Sequence, residues 1–173
     1  MSFLTRNRVI GLALAVAIFV VDQLVKTFVV VDLGLRQVGD SIEVLPFFDL
    51  TRTNNYGVSL GMFTATSMEM RWGLIALTCA IALFVFIWLL REKAMADVAA
   101  LAMILGGALG NIRDRWNHGF VIDYADLHFG EFRPFLIFNI ADAAITIGVL
   151  IILARTLLSR EKPADADTIA SES

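Results

Sequence analysis

The 173-residue sequence is poor in charge and contains a single cysteine. Charged residues make up 18% of the chain, against about 25% in ordinary soluble domains. The net charge is −3 and no basic block is present, which argues against nucleic acid as a partner. Cys79 stands alone, so neither an internal disulfide nor a cysteine zinc site is available. Apolar residues are in excess instead, at 58%, and the mean hydropathy of +0.74 predicts that lipid surrounds much of the chain.

The apolar residues cluster in four runs, each long enough for a membrane helix of about 20 residues. The predicted spans cover approximately residues 9–30, 70–90, 94–112 and 136–158. The sequence therefore predicts an all-α membrane protein with four transmembrane helices, plus a small extracytoplasmic β-element and loop. Residues 1–160 are expected to form one integral-membrane domain, followed by a polar, disordered tail over 161–173.

The two long loops between the spans are expected to lie outside the cytoplasm. An even number of spans places both termini on one side, and Lys and Arg are equally numerous on the two sides. Those near the termini and between the second and third spans stand in short segments, where the positive-inside rule acts most strongly. Both termini are therefore predicted to be cytoplasmic. The second outer loop covers about 113–134.

The first outer loop, about 32–69, alternates β-branched and aromatic residues with polar ones. This pattern predicts two or three short strands lying on the outer membrane surface. Phe47, Phe48 and Phe63 are expected at the membrane interface.

Polar side chains interrupt the spans near this outer face. Asp22 and Lys26 are four residues apart, acid first, which favours a helical ion pair with a mainly structural role. Asp142 has no cation three or four residues away, although a carboxylate in a membrane helix costs roughly 2.5–3.5 kcal/mol. Its partner must come from elsewhere, and Asp123 in the second outer loop is a second semi-buried carboxylate. Two carboxylates in one low-dielectric pocket retain a proton between them, as in aspartic proteases.

Other functions remain open on the residues alone. A small four-helix transporter or scaffold could use the same polar residues for ion passage or packing. A metal site at Asp123, Asp126 and His128 lacks any firm ligand spacing, and serine catalysis lacks a GxSxG. The stretch GGALGN resembles a phosphate loop but lacks the following Lys-Ser/Thr, so close packing of helices through small residues explains it better.

Five ordered motifs run along nearly the whole chain. They are VDQLVK with Asp22 and Lys26, NNYGVSLGMF with Asn55 and Gly57, GGALGNIRDR with Asn111, Asp114 and Arg115, VIDY with Asp123, and FNIADAAITIG with Asn139, Ala141 and Asp142. Together they resemble the motifs of the signal peptidase II family, the lipoprotein signal peptidases of the bacterial inner membrane. Departures are small: Leu60 stands where the family often has Phe, and the acidic tail is not part of the pattern.

The resemblance implies an integral-membrane aspartic endopeptidase that removes the signal peptide from prolipoproteins. Cleavage would fall on the amino side of a diacylglyceryl-modified cysteine, with Asp123 and Asp142 as the catalytic pair and no metal or cofactor. Asp114 is expected to form a structural ion pair with Arg115. The expected partners are the modified prolipoproteins and membrane lipid, and the protein is expected to be a monomer. Substrate-binding or supporting roles then fall to Asn55, Gly57, Asn111, Arg115, Asn139, Asp22 and Lys26.

Overall fold

The computed structural model describes residues 5–57 and 68–160, and this part of the chain contains four long helices. Each is long and apolar enough to cross a membrane, as the four predicted spans required. The predictions for Phe63 and for the tail over 161–173 lie outside the described residues. The helices are α1 (Arg6–Thr27, continued by a π-helical turn over Phe28–Asp32), α2 (Met68–Arg91), α3 (Met95–His118) and α4 (Ile140–Arg160).

Helix α3 lies at the centre of the bundle and packs against the other three helices. Its glycines permit this approach: a Cβ at Gly106 would lie 2.5 Å from the carbonyl oxygen of Ala15 in α1. A Cβ at Gly107 would likewise collide with the carbonyl oxygen of Ala141 in α4. The GGALGN stretch is therefore a close-packing segment, as predicted.

Two helix ends differ from the prediction. Helix α3 was expected to end near residue 112 but continues to His118, because the polar residues of its last turns find partners on neighbouring helices. Arg71 of α2 donates to the carbonyl oxygens of Arg115 and Trp116, and Gly119 closes the helix at φ +86°. Helix α4 begins at Ile140 rather than near 136, because the chain just before it pairs with a strand.

A three-stranded antiparallel sheet covers one end of the bundle, in the order β1-β2-β3. The first loop supplies β1 (Ser41–Leu45) and β2 (Phe48–Asn55), as predicted, whereas β3 (Val121–Leu127) comes from the second loop and was not predicted. Strand β3 is buried over residues 121–126 because it lies between β2 and the helix ends. The sheet thereby carries the residues of β3 to the start of α4.

The two adjacent phenylalanines predicted at the membrane interface differ in exposure. Phe47, in the turn before β2, is exposed, whereas Phe48, the first residue of β2, is half-buried and packs against a cluster formed by Val29, Leu35 and residues of β3. Their place at the interface stays a prediction.

Candidate active site

The start of α4 is built on reciprocal hydrogen bonds between Asn139 and Asp142. Asn139 precedes the first helical turn, and its Oδ1 accepts the backbone N–H of Asp142 at 2.9 Å. The Asp142 carboxylate accepts the backbone N–H of Asn139 at 3.3 Å in return. This is a capping box, which satisfies N–H groups that a helix start leaves unpaired. Asp142 therefore lies at the positive end of the helix dipole, where a negative charge is stabilised.

Asp22 provides a further acceptor to the same helix end from α1. Its Oδ1 accepts the N–H of Ala141 at 3.0 Å, and its Oδ2 lies 2.8 Å from Lys26 Nζ, which confirms the predicted ion pair. Lys26 Nζ also lies 2.8 Å from Oδ2 of Asp114 in α3. The three charged side chains are at most 2% exposed. This buried ion cluster joins α1, α3 and the beginning of α4.

Asp114 does not form its ion pair with Arg115, as had been expected, but with Lys26. Residues adjacent in a helix do not face each other, so neighbours in sequence are poor candidates for an ion pair.

Asp123 reaches the same place from β3 and is 1% exposed. Asn139 Nδ2 donates to Asp123 Oδ1 at 2.6 Å, so one asparagine contacts both carboxylates. Burial, and then the negative charge of Asp142, raise the pKa of Asp123 to about 7, against the hydrogen bonds from Asn55 and Asn139. Asp123 can therefore hold a proton near neutral pH.

Asn111 of α3 connects Asp142 to the buried ion cluster. Its Nδ2 donates to Asp142 Oδ1 at 2.8 Å, and its Oδ1 accepts from Lys26 Nζ at 3.3 Å. Two asparagines thus supply the hydrogen bonds of the Asp142 side chain: Asn111 from α3, and Asn139 from three residues earlier in the chain.

Arg115 brings a half-buried guanidinium to the site from the last turns of α3. It attracts Asp142 and Asp123 electrostatically, and its Nε is buried with no hydrogen-bond partner among the described residues. Gly57 lies against it at φ +93°, and a Cβ there would lie 3.6 Å from Arg115 Nη2. The Oδ1 of Asn55 accepts the Gly57 N–H at 2.8 Å, which fixes this turn beside the site.

Two residues near the site were not singled out in the sequence. Arg52 of β2 is 6% exposed, its guanidinium carbon lies 5.6 Å from the Phe120 ring centre, and burial lowers its pKa against the attraction of Asp114 and Asp123. Gln23 donates to Asp114 Oδ1 at 3.0 Å and accepts from Arg113. The sequence gives little signal for either residue, because Gln23 carries no charge and Arg52 stands among other polar residues of β2.

The side chains considered as metal ligands do not converge. Asp126 Oδ1 lies 3.0 Å from Arg133 Nε, and His128 Nε2 lies 3.2 Å from Asp49 Oδ2, both away from Asp123. Over residues 5–57 and 68–160, no group of three or more His, Cys, Asp and Glu is placed to hold a metal ion.

A cavity of about 310 Å³ opens beside Asp142. Apart from the carboxylate and one threonine, its walls are apolar. They are formed by Phe135, Leu136, Phe138, Asp142, Ala143, Thr146 and Ile147.

Four membrane-crossing helices, a sheet over one end and buried carboxylates at that end define a multi-pass membrane protein with an acidic site. A family model described as Signal peptidase (SPase) II matches residues 14–158. The chain belongs to that family.

Similar proteins agree with this assignment. A lipoprotein signal peptidase of Sphingopyxis alaskensis is 53% identical over 157 residues, covering 91% of this chain and 90% of that one. One from Rhizorhabdus wittichii is 47% identical and covers 94% of each chain. A solved structure described as a bacterial membrane enzyme is 30% identical with a TM-score of 0.72, covering 85% of this chain and 92% of that chain.

The family defines the activity at the level of the reaction. The protein is a protease that removes signal peptides from prolipoproteins, and it is a multi-pass protein of the bacterial inner membrane. The alternative of a transporter or scaffold is not supported.

Proposed function

We propose that the protease is of the aspartic type, with Asp123 and Asp142 as the catalytic pair. The observation that carries the proposal is Asn139, whose side chain and backbone hydrogen-bond the two carboxylates at once. An aspartic protease needs two carboxylates that share one proton and a water between them. A residue that contacts both can hold them in a fixed relation.

The charges around Asn139 support one shared proton. Within the described residues, four carboxylates and three cations gather there, and residues 58–67 carry no ionisable side chain. Because uncompensated buried charge is costly, one added proton would balance the cluster. The carboxylates are Asp22, Asp114, Asp123 and Asp142, and the cations are Lys26, Arg52 and Arg115.

We assign the proton to Asp123. It is 1% exposed and its pKa is raised to about 7, mainly by burial. Asp142, by contrast, is only half-buried and accepts hydrogen bonds from Asn111 and Asn139 at the start of α4.

The reaction then proceeds without a covalent intermediate. Asp142 takes a proton from water, the water oxygen attacks the scissile carbonyl carbon, and Asp123 gives its proton to the carbonyl oxygen. The product is a gem-diol. Asp123 then recovers a proton from a gem-diol hydroxyl, while the proton on Asp142 passes to the leaving nitrogen as the C–N bond breaks. The pair returns to its starting protonation state.

Arg115, Asn55 and Gly57 would bind the substrate backbone. The Nε of Arg115 has no hydrogen-bond partner among residues 5–57 and 68–160, which makes it a donor for a substrate carbonyl, and Gly57 leaves space next to it. The apolar cavity beside Asp142 suits an acyl chain of a diacylglyceryl-modified cysteine. Cleavage on the amino side of that cysteine would place the scissile bond at the dyad.

Substitution of each carboxylate tests the dyad. Asp123→Asn and Asp142→Asn should each yield a folded protein that does not cleave a lipidated precursor. Asp126→Asn is the matched control, because Asp126 is equally buried on the same strand but pairs with Arg133. Activity surviving either dyad substitution would exclude this mechanism. Activity lost to a chelator and restored by zinc would favour a metal enzyme instead.

We also propose that both termini are cytoplasmic, that the site faces outward and that the protein acts as a monomer. A cysteine introduced at exposed Lys93 should react with an impermeant maleimide only in inverted vesicles. Mass spectrometry should find product that begins at the lipidated cysteine, and light scattering in detergent should give the mass of one chain.

A further inference from the structure

We propose that an aromatic rim, formed by the turn between β1 and β2 and by the loop after β3, inserts into the adjacent leaflet of the bilayer. Its members are 44% to 75% exposed. Single exposed apolar residues are ordinary, but a contiguous group of them marks an interaction surface. The rim consists of Phe47, Phe129, Phe132, Phe135 and Leu136.

Phe47, Phe129 and Phe132 form one unit although they come from two loops. The rings of Phe47 and Phe129 stack at 6.4 Å with 14° between their planes, and His128 N donates to Phe47 O at 3.0 Å. Phe129 and Phe132 exchange two backbone hydrogen bonds, of 2.8 and 3.2 Å, around Gly130 at φ +62°. The aromatic side chains are therefore held outward by backbone structure.

Side-chain contacts hold the base of the rim. Arg133 Nε lies 3.0 Å from Asp126 Oδ1, and His128 Nε2 lies 3.2 Å from Asp49 Oδ2. These contacts join the loop after β3 to β3 itself and to β2.

Lipid is the partner that fits this surface because the rim is continuous with the membrane-crossing part of the chain. Leu136 stands four residues before Ile140, where the α4 span begins, so it lies within about 14 Å of that helix end. The cavity beside Asp142 runs from Phe135 and Leu136 to Ile147 of α4. Side chains at this level would enter the boundary between headgroups and acyl chains, as interfacial apolar faces do.

The rim would set the height of the sheet, and thus of Asp123, above the hydrocarbon. Insertion does not depend on the proposed chemistry, whereas its effect on catalysis rests on the proposed function. The two can be tested separately.

Depth measurements on the full chain test insertion. In a Cys79→Ala background, a nitroxide label is placed at Phe132→Cys, and the protein is reconstituted in phosphatidylethanolamine–phosphatidylglycerol vesicles. Collision with oxygen reports lipid, and collision with a water-soluble nickel chelate reports water. Labels at Leu150→Cys in α4 and at Lys93→Cys give the values for lipid and for water. Val38→Cys is a matched control, because Val38 is 63% exposed and Phe132 is 66% exposed, but Val38 lies at the other end of β1 from Phe47.

The label at residue 132 should collide more with oxygen than with the nickel chelate, with a ratio close to that at residue 150. The label at residue 38 should give the ratio found at residue 93. Nickel access at 132 equal to that at 93 would overturn the proposal. So would shielding from both reagents, which would indicate a protein partner.

A kinetic measurement tests the consequence. Phe129→Ser with Phe132→Ser should raise KM for a membrane-embedded lipidated precursor several-fold in vesicles and leave kcat unchanged, while Val38→Ser changes neither. A fall in kcat with KM unchanged would show that the rim acts on folding or chemistry rather than on depth.

Discussion

Asp123→Asn is expected to remove a loss of stability that the wild-type protein suffers as pH rises to about 7, while it abolishes cleavage. The folded protein holds the Asp123 proton up to about pH 7, whereas the unfolded chain releases it near 3.8. Between these values the folded state binds the extra proton, so the free energy of unfolding falls by about 1.36 kcal/mol per pH unit. Above about 7 both states are ionised and the loss is complete.

The size of the effect follows from the interval. Between pH 5 and about 7, an interval of two pH units, the free energy of unfolding of the wild-type protein falls by about 2.7 kcal/mol. Asparagine does not titrate, so the stability advantage of Asp123→Asn over wild type should grow by about 2.7 kcal/mol between pH 5 and pH 8. Asp123 is 1% exposed, so solvent screening does not weaken this contribution to stability.

Unfolding in mixed micelles of detergent and dodecyl sulfate at the two pH values measures this difference. Glu43→Gln is the control, because Glu43 is an exposed carboxylate of the same sheet, where burial adds no comparable cost. A difference between Asp123→Asn and wild type that stays constant with pH would refute the assignment of the proton to Asp123.

Three further outcomes follow from the same site. If Asp123 acts in its protonated form, kcat/KM should fall up to about tenfold per pH unit as pH rises beyond about 7, in a pH–rate profile. Lys26→Met leaves buried carboxylates unpaired and should cost about 3–5 kcal/mol in micellar unfolding, part of which a second change, Asp114→Asn, should restore. Gly110→Ala places a Cβ 2.5 Å from a carboxylate oxygen of α1 and should cost about 1–3 kcal/mol, whereas Gly73→Ala, with nothing within 4 Å, should gain about 0.4–1 kcal/mol in the same assay.

Hydropathy predicts the membrane-crossing core well and the helix ends poorly. The four apolar runs correspond to the four helices, because burial in lipid is a property of each segment by itself. The extension of α3 through Asp114 to His118 depends instead on Lys26 of α1 and Arg71 of α2. Such long-range partners leave no local signal.

The candidate site was partly visible in the sequence for a similar reason. Asp142 is conspicuous because it stands in an apolar run, and Asp123 because apolar residues flank it. The capping box has a local signature, an asparagine three residues before an aspartate at a helix start, which the predicted start near 136 concealed. Strand β3 exists only through its pairing with β2, so its own seven residues are weak evidence for it.

The capping box also has a consequence for biosynthesis. Asn139 and Asp142 stand at the start of α4, and Asn111 and Asp123 contact them from elements made earlier. Before α4 is made, the nascent chain contains Asp123 but neither Asn139 nor Asp142. If the pair is catalytic, a newly made molecule acquires its capacity to cut only when α4 enters the membrane.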